Sequence, residues 1–380
     1  MKGNILKMNF FCIRILFLVL FLSLTLNSSA IGFTFGYNSG YLDAQFTKEV
    51  TLSENFENAL QDPGKVIAIK LSASNKNLAA LRKFRHLKYL MLDETFVADG
   101  FYLSNEALEA FFTICDELPE LEYLAINDSR LMALIKTPQR IKGLKINKYE
   151  WNTFQNNIEK FKNLELLIIE DQELNAIPNT VGTIITLKQI EINTVSMPQL
   201  PDLSMLQNLV VFKAELGKIK KLPSTFAALK SIKYLSITGM VVFEEFPKEI
   251  CNIESLEELH IELRNANPIP DEIGNLSHLK NIYLVDCQNI SKLPVTIGKL
   301  KNLEFIYLSD AKNSLDITPL INLEHQYSLM LVRCNYNGFA KQLENSKTLK
   351  NLILPTSILP SELNRVEKYI PKEKIIKKEL

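Results

Sequence analysis

One spacing recurs along this chain: an aliphatic residue, two variable positions, a second aliphatic, one variable position, a third aliphatic. Clear copies are Leu164/Leu167/Ile169, Ile232/Leu235/Ile237, Leu256/Leu259/Ile261, Leu279/Ile282/Leu284 and Leu303/Ile306/Leu308. The opening residues Leu164, Leu187, Leu209, Ile232, Leu256, Leu279 and Leu303 follow one another every 22 to 24 residues. Within each copy, apolar and variable residues alternate with period 2, the signature of a strand buried on one face. Thirteen such strands are predicted, from Ile69/Leu71 to Leu352/Leu354. Copies of one short strand joined by long returns must lie side by side in parallel. A fixed period of this size predicts stacked coils with a continuous spine, not a globule around one centre.

The returns carry a second pattern: Ile177-Pro178 to Gly182, Leu222-Pro223 to Ala227, Phe246-Pro247 to Cys251, Ile269-Pro270 to Gly274 and Leu293-Pro294 to Gly298. Proline suits the first position of a short helical turn. The small closing residue predicts close backbone approach on the outer side. Leu229, Ile253, Leu276 and Leu300 then point inward. The return after Leu92 is longer, and Ser104 to Leu118 reads as a true α-helix stopped by Pro119.

The two ends depart from the pattern. Residues 1–30 form an expected signal peptide, with Lys2, Lys7 and Arg14 before an apolar run from Ile15 to Leu26 and small residues Ser28 and Ala30 before the cut. The apolar run is short for a span of about 20 residues, so removal after Ala30 is expected, with an uncleaved anchor as the alternative. Residues 31–64 are an N-terminal segment with a capping helix over Ser53 to Leu60, Ser53 as its N-cap and Asp62-Pro63-Gly64 as its stop. Residues 65–359 form the repeat domain. Residues 360–380 hold a closing helix from Pro360 to Ile370 and a charged tail from Lys372 to Leu380.

The bulk figures narrow the chemistry. The 380 residues carry 43 basic and 43 acidic side chains, and 47% of them are hydrophobic. No global charge favours nucleic acid or an anionic membrane. Loss of residues 1–30 leaves the chain about three charges negative. Cys115, Cys251, Cys287 and Cys334 remain. Export permits disulfides, but Cys287 and Cys334 share a coil position two repeats apart, about 10 Å at the strand spacing, beyond the ~7 Å limit for a bridge. All four are expected as buried small hydrophobes.

These repeats resemble the leucine-rich repeat proteins, and the Pro-containing returns are similar to the disease-resistance and Ras-suppressor-like branch. The end helices are similar to the caps of exported bacterial members. The resemblance covers residues 66–359. It implies an α/β solenoid, with a curved parallel sheet of about 13 strands on the concave side, short helical or irregular convex returns, and helical caps. It also implies a non-catalytic binding protein that takes its partner on the concave sheet. One departure stands out. The family places Asn at the ninth position of each repeat, where this chain has Thr95, Ser129, Tyr149, Gln172, Val195, Gly217, Met240, Arg264, Cys287, Ala311, Cys334 and Ser357. Val195, Met240 and Ala311 cannot donate, so other groups must satisfy the turn there.

The residue between the second and third aliphatics faces the concave side. Its row contains His260, Tyr283, Tyr307 and Met330 in consecutive repeats, with Phe305 flanking and Glu262, Asp286 and Asp310 on the other side. Rigid aromatics bordered by acids are recognition chemistry; cross-strand packing alone is the structural alternative. Lys213, Lys218, Lys220 and Lys221 read as a solvated convex face. Catalytic motifs do not emerge: His86, His260, His278 and His325 lack metal-ligand spacing, and there is no nucleophile elbow or phosphate loop. A His260 and Glu262 acid–base pair would lie on an open sheet that excludes no water. No cofactor and no metal are expected. Asn127, Asn275 and Asn289 match a glycosylation pattern, and Lys377 to Leu380 resembles a lumenal retention signal; chance accounts for both.

The expected function is recognition of a protein, or a surface glycan, by an exported chain that is secreted, periplasmic or on the cell surface, with no nucleic acid and no membrane span after signal removal. A structural or adhesive envelope component and a hydrolase accessory module are the alternatives. The oligomeric state and ligand identity are not encoded in readable form.

Overall fold

The computed structural model describes residues 53, 55–72, 74–75, 77–93, 104–147, 150–239, 243–265, 268–311 and 315–379. The expected signal peptide, residues 31–52, and the ninth-position residues Thr95, Tyr149 and Met240 lie outside them.

Fourteen strands form one sheet in strict chain order, all pairs parallel. They are β1 (Ala68–Leu71), β2 (Tyr89–Leu92), β3 (Tyr123–Ile126), β4 (Gly143–Ile146), β5 (Leu166–Glu170), β6 (Gln189–Thr194) and β7 (Val211–Leu216). Then follow β8 (Tyr234–Thr238), β9 (Glu258–Glu262), β10 (Asn281–Val285), β11 (Phe305–Ser309), β12 (Tyr327–Val332), β13 (Leu349–Pro355) and β14 (Ile375–Lys378). The first thirteen are those predicted from the aliphatic spacing. The fourteenth corrects the expectation of a tail: Ile375 to Lys378 pairs with β13 and ends the sheet.

The aliphatics of each coil meet in one continuous core running from Phe56 to Ile370. Leu259, Ile282 and Ile306 are in register and buried. Burial against the preceding and following coils, together with shared ladder hydrogen bonds, is what makes a unit too small to bury its own face stable.

The outer returns are 3-10 turns, as at Asn179–Thr183, Ser224–Ala228, Lys248–Asn252, Asp271–Asn275 and Val295–Lys299. Proline sits one residue earlier than expected. Pro178, Pro223, Pro247, Pro270 and Pro294 are N-caps with extended backbone. Their carbonyls accept the first hydrogen bond of each turn, from Val181, Phe226, Ile250, Ile273 and Ile297. The fixed φ of proline delivers that carbonyl in place. The small residue that follows is needed sterically: a Cβ on Gly182 would collide with the backbone carbonyl of Asp202 in the next coil.

Among the described residues five α-helices interrupt the pattern: α1 (Phe56–Ala59), α2 (Asn105–Glu117), α3 (Trp151–Asn157), α4 (Tyr336–Gln342) and α5 (Pro360–Val366). In α2, Ser104 caps the amide of Ala107, as its position before the helix predicted. In α1 the cap is Asn55, not Ser53. Ser53 instead bridges to Ile69, donating to Ala68 O and accepting from Lys70 N–H, so it covers the free edge of β1. The closing helix α5 stops at Val366, short of Ile370. Helices α3 and α4 carry too few periodic positions to be read from sequence.

A polar ladder ties the coils together. The residue just before the first aliphatic reaches a carbonyl of the preceding coil. Asn163 donates to Gln139 O at 2.8 Å, Thr186 to Leu164 O at 2.7 Å, Asn208 to Ile185 O at 2.9 Å, Ser255 to Ile232 O at 2.7 Å and Asn302 to Ser277 O at 2.7 Å. His278 holds Glu254 O in the same way. At the ninth position Ser129 exchanges hydrogen bonds with the backbone of Glu150, and Cys287 and Cys334 donate to Leu284 O and Leu308 O. Where Val195 cannot donate, the buried neighbour Thr194 bonds Gln172 O and Leu174 O.

The four cysteines among the described residues are free; Cys115, Cys251 and Cys287 are buried, while Cys334 is only partly so. Burial pushes the Cys251 thiol up to about 12 and that of Cys334 to about 11. Asn127, in one glycosylation match, is buried and donates to Asp93 O. Lys377 and Lys378 belong to β14.

Candidate functional site

The concave face is set by the ladder register. One row runs Met91, Ala125, Lys145, Ile168, Glu191, Lys213, Ser236, His260, Tyr283, Tyr307, Met330, Ile353 and Ile376, each paired with the next. A second row, two residues earlier along each strand, holds Tyr234, Glu258, Asn281, Phe305, Ser328 and Asn351. His260, Tyr283, Tyr307 and Met330 are therefore neighbours, with Phe305 beside Tyr283.

Adjacency does not give equal exposure. His260 is 7% exposed, Tyr307 6% and Met330 3%. Tyr307 and Met330 form a floor packed with Val285 and Val332, and Tyr283, Phe305 and Ile353 lie partly exposed against it. The rings interlock. His260 stacks on Tyr283 at 3.8 Å between centroids and 15° between planes. Tyr234 lies 5.3 Å on its other side. Tyr283 contacts Phe305 at 5.4 Å and Tyr307 at 5.8 Å, both tilted. Burial pushes the Tyr307 phenol up to about 12, and Tyr234 well above its ordinary value.

The partner of His260 is Glu258, not Glu262. Its Nε2 lies 2.6 Å from Glu258 Oε1, and Glu258 Oε2 accepts from Asn281 Nδ2 at 3.0 Å. Both partners are at least nine-tenths buried. Burial holds the imidazole below its ordinary pKa, against the opposing pull of the Glu258 carboxylate, and Lys213 lowers it further. Sequence reasoning passed over Glu258. The signal available was its i, i+2 spacing to His260, which puts both side chains on one face of a strand.

The three acids do not border the platform as free carboxylates. Glu262 accepts from the Gly239 amide at 3.0 Å. Asp286 accepts from Arg264 Nε at 2.8 Å, and Arg264 also reaches Glu262 at 3.3 Å. Asp310 takes both Nε and Nη2 of Arg333 at 2.6 Å. The exposed groups at this rim are thus two guanidiniums, each oriented by carboxylates below it. Asp286, Asp310 and Arg333 occupy one coil position in successive repeats, all left-handed with φ near 50–56°. Asp tolerates that region far better than most residues.

Further along the row the charges pair among themselves. Lys145 bonds Glu170 at 2.8 Å, and Lys213 lies 3.8 Å from Glu191. Lys213 therefore faces the concave side, unlike the convex placement expected for its cluster. Burial lowers its pKa, with Glu191, Glu215 and Glu170 opposing. At the strand entrances Glu122, Lys142, Glu165, Lys188, Lys233, Glu257 and Lys280 make another alternating set, joined by pairs such as Lys142–Glu122 at 2.8 Å and Lys280–Glu257 at 2.7 Å. A shallow depression of about 360 Å³ lies there, between Pro119, Arg140, Lys142 and Asn163, away from the aromatic platform. A second apolar group on the concave face gathers Met91, Tyr123, Leu166 and Ile168, with Tyr89 stacked on Tyr123 at 4.5 Å. Among the described residues no group of three or more His, Cys, Asp or Glu side chains could hold a metal ion, and no helix is long and apolar enough to cross a membrane.

The single parallel ladder with one strand per coil gives this chain a leucine-rich repeat fold. Among solved structures it is similar to TLR13 in complex with ssRNA13, with TM-score 0.50 and 19% identity over 77% of this chain and 39% of that one. It is also similar to a leucine-rich repeat protein of Leptospira interrogans (TM-score 0.42, 20% identity, 85% and 99% covered). An internalin of Listeria monocytogenes gives TM-score 0.45 and 16% identity, with 77% and 81% covered. No family model matches the chain, and no curated protein matches it in sequence.

Proposed function

We propose that this is an exported, non-catalytic binding protein that recognises a protein ligand on the C-terminal half of its concave sheet. The observation that carries the reading is the run of partly exposed Tyr283, Phe305 and Ile353 on a packed floor of Tyr307 and Met330, with buried His260 stacked on Tyr283. Aromatic anchors already held by their neighbours lose little entropy on binding, and they dominate interface energetics. Arg264 and Arg333, fixed by Asp286 and Asp310, supply oriented donors at the rim. The surface is broad and shallow, which suits a protein better than a small molecule that needs an enclosing pocket. The RNA in the TLR13 complex is not carried over to this chain. Lys145 and Lys213 are matched by Glu170 and Glu191, leaving no cationic surplus for a phosphate backbone. Export rests on the n-region, apolar run and small residues of positions 1–30.

The test is a pull-down from the native host with the chain lacking residues 1–30, wild type against Tyr283→Ala/Phe305→Ala. One discrete set of proteins retained by the wild type and lost by the double variant, at unchanged fold, supports the reading. Equal retention by both overturns it.

A further inference from the structure

Beside the floor of this platform lies a buried polar pair where aliphatic residues would pack at lower cost. Glu258 and His260 are both nine-tenths buried, and removing a carboxylate from water is expensive unless it is fully bonded. Here it is bonded at both oxygens, to His260 and Asn281. The imidazole in turn lies flat against Tyr283, one of the three partly exposed residues of the platform. The chain of contacts thus runs from a buried carboxylate, through a titratable ring, to a recognition side chain.

We propose that Glu258 and His260 are positioning residues for the platform: while the imidazole is neutral the pair fixes the ring of Tyr283, and protonation of His260 releases it. The proposal rests on the reading that this platform contacts the ligand. A neutral imidazole donates from Nε2 to Glu258 and presents a flat uncharged face to Tyr283. An imidazolium in the same place is a desolvated cation. Glu258 on its own strand favours that cation, while Glu262, on the same strand, is bonded to the Gly239 amide and Arg264. The phenols of Tyr234 on β8 and Tyr283 on β10 flank it. Lys213 on β7 opposes it, and Glu191 on β6 offsets Lys213. Burial decides the balance, so the charged ring gains most by turning toward water, and it can do so only by leaving the stack.

The experiment is an NMR titration of the free chain lacking residues 1–30, with labelled histidine and tyrosine, from pH 7.5 to pH 4.5. The expected result is that the Tyr283 ring signals move with the same midpoint as the His260 imidazole. In Glu258→Gln, which keeps an acceptor but removes the charge, that common midpoint falls by about one pH unit, the lower end of the effect of a neighbouring opposite charge. In His260→Phe the Tyr283 signals no longer respond to pH. Should His260→Phe fail to fold, the Glu258→Gln shift decides. Tyr283 signals that ignore the His260 titration, or a Glu258→Gln midpoint equal to wild type, overturn the proposal. The readout needs no ligand. A linked titration with equal protein retention by Tyr283→Ala/Phe305→Ala would overturn the recognition reading while leaving the positioning pair intact.

Discussion

The hydroxyl of Thr194 donates to the carbonyl of Leu174 across a coil boundary at 2.7 Å, in the repeat where Val195 leaves the family's donor position empty of hydrogen-bonding capacity. Thr194 is fully buried. Thr194→Val keeps the volume and removes the donor, leaving the carbonyls of Gln172 and Leu174 short of a partner. The expected cost is about 1–3 kcal/mol, the penalty for an unsatisfied buried group. A lower urea midpoint for Thr194→Val checks it. Val195→Thr, at a position 37% exposed, should change stability little.

Tyr283 and Tyr307 sit in the same row but should behave differently when truncated. Tyr307 is a floor residue, and Tyr307→Ala is expected to cost about 3–5 kcal/mol, as for other buried aromatics. Tyr283→Ala removes a partly exposed ring and should stay near the ordinary point-mutant value of about 1 kcal/mol. Thermal unfolding of the two variants compares them directly. Equal losses would mean that the platform is packing throughout.

Stability should fall in mild acid because of His260. Its pKa in the folded chain lies below the ordinary 6.5, so the unfolded chain binds the proton first. Where the unfolded state binds more protons, stability rises with pH. The loss therefore begins near pH 6.5 on acidification and grows until pH passes the folded pKa. Denaturation midpoints at pH 7.5 and pH 5 should differ more for wild type than for His260→Phe. Carboxylates away from this pair affect both chains alike.

Strand β14 should act as the guard of the sheet's last edge. It is four residues long and carries Lys377 and Lys378, two features that discourage pairing with another chain. Beneath it, β13 runs seven residues from Leu349 to Pro355, with Leu352 and Leu354 fully buried. A chain ending at Ile370 exposes that longer apolar edge. Concentration-dependent association by light scattering is expected for the truncated chain and not for the full one.

Much of this molecule was legible in order of residues alone. The aliphatic triplets fixed thirteen strands, their parallel order and the neighbours His260, Tyr283, Tyr307 and Met330, because one strand per coil leaves the register almost no freedom. What only the folded chain decided were properties of pairs and depths. Glu258 took His260 while Glu262 turned to the Gly239 amide; Arg264 and Arg333 claimed Asp286 and Asp310; Tyr307 sank beneath Tyr283. Apart from the Glu258–His260 pair, which shares one strand, each of these depends on groups more than twenty residues apart meeting across strands about 4.8 Å distant. Strand β14 escaped notice for a related reason: an end strand has a single neighbour, so Ile375 and Ile376 need no full aliphatic triplet to hold it in place.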